Sequence, residues 1–206
     1  SQKYGGVSKY FFNFLKLIKK KNNNNFPIIL APIYINNHLK EYHDYLNVLG
    51  IHLNINSKIL LRSLRYVNYF LDFIISLPLK YDITHLTYFS VISGSFINKK
   101  SKLVITVHDM TYEIFPSYFK NSYKTINAKK KLINKCDAII AVSQNTKKDL
   151  LNYYKIDEKK IKVIYHGIDV IKFKKNHNDN KIHKKKFILY VGQRDGYKNF
   201  NILLEV

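Results

Sequence analysis

The sequence predicts an α/β fold, a doubly wound parallel sheet with helices on both faces. Short β-branched runs alternate with longer amphipathic stretches along most of the chain. Several of the short runs, such as DAIIAV at 137–142, are apolar nearly throughout, as strands covered on both faces are. The chain has 206 residues, 46% of them hydrophobic and 15% aromatic, which suffices for a core and excludes wholesale disorder.

The elements follow in order. Residues 8–19 predict a helix with Phe11, Phe12, Leu15 and Ile18 on one face. Residues 26–34, FPIILAPIY, hold a strand, 38–48 a helix and 51–55 a short strand. Residues 59–77 form the long helix, stopped by Pro78. Strands are expected at 82–86 and 103–107, then a helix over 116–135 with Pro116 at its first position. Ser143 reads as the N-cap of a helix running to about Tyr154, after the strand at 137–142. A last strand, 161–164, closes this unit.

Beyond Phe173 the composition changes. Residues 174–186, KKNHNDNKIHKKK, are polar and read as a linker between domains. FILYV at 187–191 then reads as a buried strand, with a glycine-containing turn and a helix from about Asn199. The expected division is an N-terminal domain over 1–173, the linker, and the beginning of a second domain over 187–206. Both ends look cut, with Val206 inside an apolar pattern.

Lys and Arg number 35 against 14 Asp and Glu, a net charge of +21. Such charge suits a polyanionic partner: nucleic acid, an anionic membrane surface or phosphates. Lys, Asn, Ile, Tyr and Phe are also the residues of AT-rich codons, and that bias outweighs any partner as the source. A single cysteine, Cys136, excludes a disulfide framework and points to a reducing, cytoplasmic setting. It precedes a buried strand and reads as inert core. The most apolar stretch, 67–79, is shorter than the roughly 20 residues of a membrane span. A buried or membrane-surface helix fits it better.

Ligands of a parallel sheet bind beyond the carboxyl ends of its strands, near helix N-termini. Three segments meet that rule. Gly5 and Gly6 precede the first helix, where bare amides can approach an anion; an ordinary tight turn would use the same residues. His108 and Asp109 follow the strand at 103–107. His108 either faces a ligand or fixes its own loop, and Asp109 is expected to order that loop. Arg194 and Lys198, in GQRDGYKN, sit on a strand-to-helix turn. They either hold a diphosphate or are solvated cations. No P-loop, GxSxG elbow or GxGxxG is present, and no metal-ligand spacing appears.

These segments occur in a familiar order. YGGVSKYF, VITVHDMTYEIFP, CDAIIAVSQNTKKDL, KVIYHGID and FILYVGQRDGYKNF together resemble a family 4 glycosyltransferase of the GT-B fold. Within that family they are most similar to mannosyltransferase-like enzymes of surface-polysaccharide synthesis. The resemblance implies two Rossmann-like domains, the first for the acceptor and the second for a nucleotide-diphosphate sugar. It implies retention of anomeric configuration, no cofactor and no metal. By position, Gly5 and Gly6 match the loop that approaches the donor phosphates, and His108 matches the histidine that contacts the transferred sugar. Arg194 and Lys198 match the basic pair on the diphosphate. Gly167 and Asp169 match a structural segment before the linker. Gln193 stands where Arg is usual, with Arg194 one place later. The family's Glu-x7-Glu motif and a first strand ahead of Ser1 are expected outside this sequence, so the chain alone should be inactive or nearly so.

The resemblance therefore implies a hexosyltransferase. Its partners would be a nucleotide-diphosphate sugar, GDP-mannose-like or UDP-linked, and a saccharide or lipid-linked acceptor. Peripheral contact with the cytoplasmic membrane face, through the 59–77 helix, is compatible with it. The competing reading is a non-catalytic basic module for nucleic acid or anionic membrane. No RNA or DNA motif appears, and nucleic acid is not an expected partner.

Overall fold

The computed structural model describes residues 3–21, 27–87, 89, 101–167, 186–192, 194 and 196–205. Its elements run α1 (Gly6–Lys21), β1 (Ile29–Tyr34), α2 (Asn37–Glu41), β2 (Val48–His52), α3 (Lys58–Ser76), β3 (Ile83–Leu86) and β4 (Lys102–Val107). They continue with α4 (Thr111–Ile114), a 3-10 turn at Pro116–Tyr118, α5 (Ser122–Lys135), β5 (Ala138–Ala141), α6 (Gln144–Tyr153), β6 (Ile161–Val163) and α7 (Asn201–Leu204). The α/β class holds, with all strand pairs parallel.

The sheet is not continuous. Among the described residues β1 pairs with β2 alone, and β3-β4-β5-β6 form a separate four-stranded sheet. The outer edge of β1 explains part of this. The Asn68 side chain of α3 accepts from the Ile33 amide and donates to its carbonyl, both at 2.8 Å, where a strand would otherwise pair. Helix α1 spans the two sheets. Phe12 packs with Tyr34, Leu46 and Val48 on the two-stranded side. Phe11 and Phe14 meet the ring of His85 on β3 at 5.0 and 5.7 Å.

The larger core lies under the four-stranded sheet. Leu103, Ile105 and Val107 of β4 interleave with Ile139 and Ala141 of β5, closed by Ile133, Cys136 and Leu150 from the helices. Asp137 ties the near ends of β4 and β5 by accepting from the Leu103 amide at 2.8 Å. That bond, with Lys102 beside it, holds the carboxyl below its ordinary range. Ser143 caps α6 as expected, its hydroxyl accepting from the Thr146 amide at 3.0 Å.

Four expectations need correction. The 116–135 helix is two pieces, because Asn121 adopts a left-handed φ of 59° between the 3-10 turn and α5. The 38–48 helix shrinks to α2, and Asn47, at φ 50°, turns the chain into a β2 that begins at Val48. Residues 187–191 form no strand: Ile188 and Val191 are 79% and 85% exposed, since no neighbouring strand among the described residues completes a ladder. The helix expected from Asn199 is a 3-10 turn at Gly196–Lys198 followed by the single turn of α7. The linker at 174–185 and the domain boundary at Phe173 lie outside the described residues.

Candidate functional site

The carboxyl ends of β4, β5 and β6 are level. Val107 pairs with Ala141, and Ala141 with Val163. Each strand therefore releases its following loop at one edge of the sheet. His108 leaves β4 there, and His166 stands three residues past β6. Their imidazoles stack at 5.4 Å with an interplanar angle of 11°. Tyr10 of α1 sets its ring edge-on to both, at 5.1 and 5.0 Å. His85 completes the group from β3, its Nε2 2.9 Å from the Thr106 hydroxyl.

Burial and mutual proximity disfavour the charged forms of His85 and His108. His85 is pushed down to about 4, chiefly by burial and secondarily by His108. His108 is lowered by burial and by His166, with Asp109 opposing in part. A neutral imidazole can donate from one nitrogen and accept at the other. The His108 Nε2 is buried and has no hydrogen-bond partner among the described residues. An unsatisfied buried polar atom is costly, so a group able to pair with it is favoured at this point.

The loop behind His108 is held firmly. Asp109 accepts from the Thr111 amide at 3.0 Å, ordering the turn as expected. Met110 is buried beneath it. Lys129 of α5 reaches in and donates to the Asp109 carbonyl at 3.2 Å and to the Glu113 carboxylate at 2.9 Å. Tyr154 donates to the other Glu113 oxygen at 2.5 Å. The Lys129 and Glu113 side chains are 1% and 2% exposed. Burial and the Glu113 carboxylate push the Tyr154 phenol up. This buried network joins three helical segments to the carbonyl next to His108.

The amino end of α1 supplies the second component. The Gly5 carbonyl accepts from the Lys9 amide at 3.0 Å and from the Ser8 hydroxyl at 2.8 Å, so Gly5 is the cap and Gly6 the first helical residue. Among the described residues, a Cβ added at Gly6 would meet nothing within 4 Å. No acidic residue sits in the first turn and three lysines sit in the last, which leaves the positive end of the helix dipole free for an anion. Tyr10 links this helix directly to His108. The structure thus brings Gly5, Gly6 and His108 onto elements in contact.

Arg194 and Lys198 are placed otherwise. Their turn docks through Tyr197, which packs on Phe115 and Phe119 at 6.0 and 5.4 Å. Gly196, at φ 72°, faces Tyr118. The Arg194 guanidinium lies 5.2 Å from the Phe200 ring centroid, and the Lys198 ammonium 5.6 Å from that of Tyr197. Both cations are exposed, and no hydrogen bond, ion pair or ring contact among the described residues joins them to Gly5, Gly6 or His108. They rest on the segment that follows β4, a few residues beyond His108. Gly167 is exposed and uncrowded; Gln193 and Asp169 lie outside the described residues.

The family model of Glycosyltransferase Family 4 matches residues 4–172. The chain belongs to that family. A comparison with curated proteins finds no match. As a family 4 member the chain has a glycosyltransferase role, with a sugar donor and an acceptor as its general substrates. Its α/β architecture of parallel strands accords with the Rossmann-like amino-terminal domain of a GT-B enzyme. Among the described residues no group of three or more His, Cys, Asp or Glu could hold a metal ion, and no helix is long and apolar enough to cross a membrane.

Sequence reasoning singled out His108 but not Tyr10, His166 or the Lys129 network. One local signal was present for His166, a histidine just past a strand end, as at His108. Nothing local marks Tyr10 or Lys129, because their roles arise only from contacts between distant segments. Cys136 is buried in the core as expected: burial pushes its thiol up to about 11, and its Sγ donates to the Ile133 carbonyl.

Proposed function

We propose that this chain forms the acceptor side of an enzyme that moves a hexose from a nucleotide-diphosphate sugar to a hydroxyl of a saccharide or lipid-linked acceptor, with retention, in polysaccharide or glycoconjugate synthesis. The observation that supports it best is the His108 Nε2 at the carboxyl edge of the sheet, buried and without a hydrogen-bond partner among the described residues, on a loop in contact with the helix that Gly5 caps. A sugar hydroxyl can pair with that nitrogen and a phosphate oxygen with the α1 amides. Negative charge grows on the diphosphate as its bond to the anomeric carbon breaks. The amides of Gly5 and Gly6, with Arg194 and Lys198, would bind that charge more tightly in the transition state than in the ground state. His108 would orient the sugar. A metal has no part in this scheme.

Transfer by the intact protein from radiolabelled GDP-mannose and UDP-hexoses tests the reading. Lys198→Ala should lower turnover about 100-fold or more, as loss of a charge-stabilising donor does. Undiminished turnover in that variant would remove Lys198 from the diphosphate site. Absence of transfer from every nucleotide sugar, alongside tight polynucleotide binding, would favour the basic-module reading instead.

A further inference from the structure

His166 has no task in the transfer scheme, yet its place is fixed. The Ile164 amide donates to the Ala141 carbonyl at 2.9 Å, which carries the β5-β6 ladder one residue beyond Val163. His166 follows two residues later. It is exposed, yet its ring lies parallel to that of His108, 11° apart in plane and 5.4 Å between centroids. Tyr10 stands edge-on to both imidazoles. Tyr10 is set in turn by two rings of its own helix, Phe14 parallel at 6.2 Å and Phe11 edge-on at 5.0 Å. His108 therefore has one ring against its face and another at right angles to it, from segments remote in sequence. Packing on two sides is what locks the rotamer of a site residue. The atom whose direction it sets is Nε2, buried and without a hydrogen-bond partner among the described residues.

We propose that His166 is a positioning residue for His108: stacked on it and braced by Tyr10, it fixes the imidazole with Nε2 toward the transferred sugar. The inference deepens the transfer reading and rests on it. Charge is the second link between the two rings. The titratable groups facing His108 are Tyr10 on α1, His85 on β3, Asp109 on its own loop and His166 after β6. Lys129 of α5 reaches the adjoining carbonyl of Asp109. Burial disfavours the His108 imidazolium first and His166 second, with Asp109 acting the other way. Two imidazolium cations at stacking distance repel, so the pair discourages a second proton.

Two measurements on the intact protein test this. His166 is exposed, so removing its ring spares the core. The first measurement needs no substrate: proton NMR follows the His108 ring signal, assigned by its loss in His108→Gln, as pH is varied. His166→Ala removes both the cover and the neighbouring cation. The His108 midpoint should then rise by about half a unit or more toward the ordinary 6.5. The second is transfer from radiolabelled GDP-mannose and UDP-hexoses. His166→Ala should lower kcat about tenfold and leave the donor KM within about twofold. His166→Phe keeps a ring on the His108 face and should return kcat to within about threefold of native. In a His108→Ala background, His166→Ala should cost nothing further, because it acts through that ring. An unmoved His108 midpoint overturns the proposal whatever the turnover. So does undiminished kcat in His166→Ala, or a loss that persists in the His108→Ala background. A raised midpoint in His166→Ala, with no transfer by the native protein from any nucleotide sugar, refutes the transfer reading and upholds the hold of His166 on His108.

Discussion

The two sheets of this molecule are built to different standards. Beneath β3-β4-β5-β6 lies a continuous cluster from Leu103 to Ile161, with a fully enclosed Lys129–Glu113–Tyr154 network beside it. Beneath β1-β2 the buried set is only Phe12, Tyr34, Leu46 and Val48, and α3, which meets β1 through Asn68, leaves Ile59, Tyr66 and Phe70 exposed. His108 hangs from the first sheet and α3 crosses the second. A group that must meet a reacting sugar within a fraction of an ångström needs rigid support. On the proposed reading, enclosure is concentrated where His108 must be held in position.

The strongest challenge to this contrast is Lys129→Met. It leaves Glu113 buried without its cation, and removing one partner of a buried pair typically costs about 3–5 kcal/mol. Urea unfolding should show that loss, and the His108 ring resonances should move because the Asp109 carbonyl loses its donor. A small loss with His108 unmoved would mean that the network is not what holds the loop.

Gly50→Ala probes the other sheet. A Cβ there would lie 1.7 Å from the Ala31 carbonyl oxygen of the neighbouring strand, at a φ of 157°. The strands must part, at about 2–3 kcal/mol. Amide exchange should quicken in β1 and β2 while β4 and β5 stay protected. Uniform loss of protection would show one cooperative unit and erase the contrast.

His85 stands at the seam, on β3 against α1, and offers the smallest effect. Its folded pKa of about 4 lies below the unfolded value near 6.5, so between those values the unfolded chain binds the extra proton. The share of stability due to His85 is therefore complete above pH 6.5 and lost as pH falls toward 4. Asp72 slopes the other way over part of this range, since burial raises it to about 6. The informative quantity is the melting-temperature difference between the native chain and His85→Gln. It should shrink as pH falls from 7 to 4; a constant difference would place His85 in solvent.

Much of this was legible in the sequence. Alternation of apolar runs located every strand of the larger sheet, and Ser143 marked its helix because capping is a local hydrogen bond. His108 could be found because strand ends are where parallel sheets bind. The misses are of another kind. Asn47 turns the chain into β2 and Asn121 precedes α5, both by adopting left-handed φ, which asparagine permits without announcing. FILYV has a strand's composition, but a strand exists only with a neighbour. The division of the sheet, the stacking of His166 on His108 and the reach of Lys129 to Asp109 are all properties of residues remote in sequence.

The central claim is that His108 meets the sugar being transferred. Its direct test is steady-state transfer from a nucleotide sugar by the intact protein carrying His108→Ala, with the fold checked by circular dichroism. A fall in kcat of about 100-fold with the fold intact is the expected result. Native turnover in that variant would contradict it.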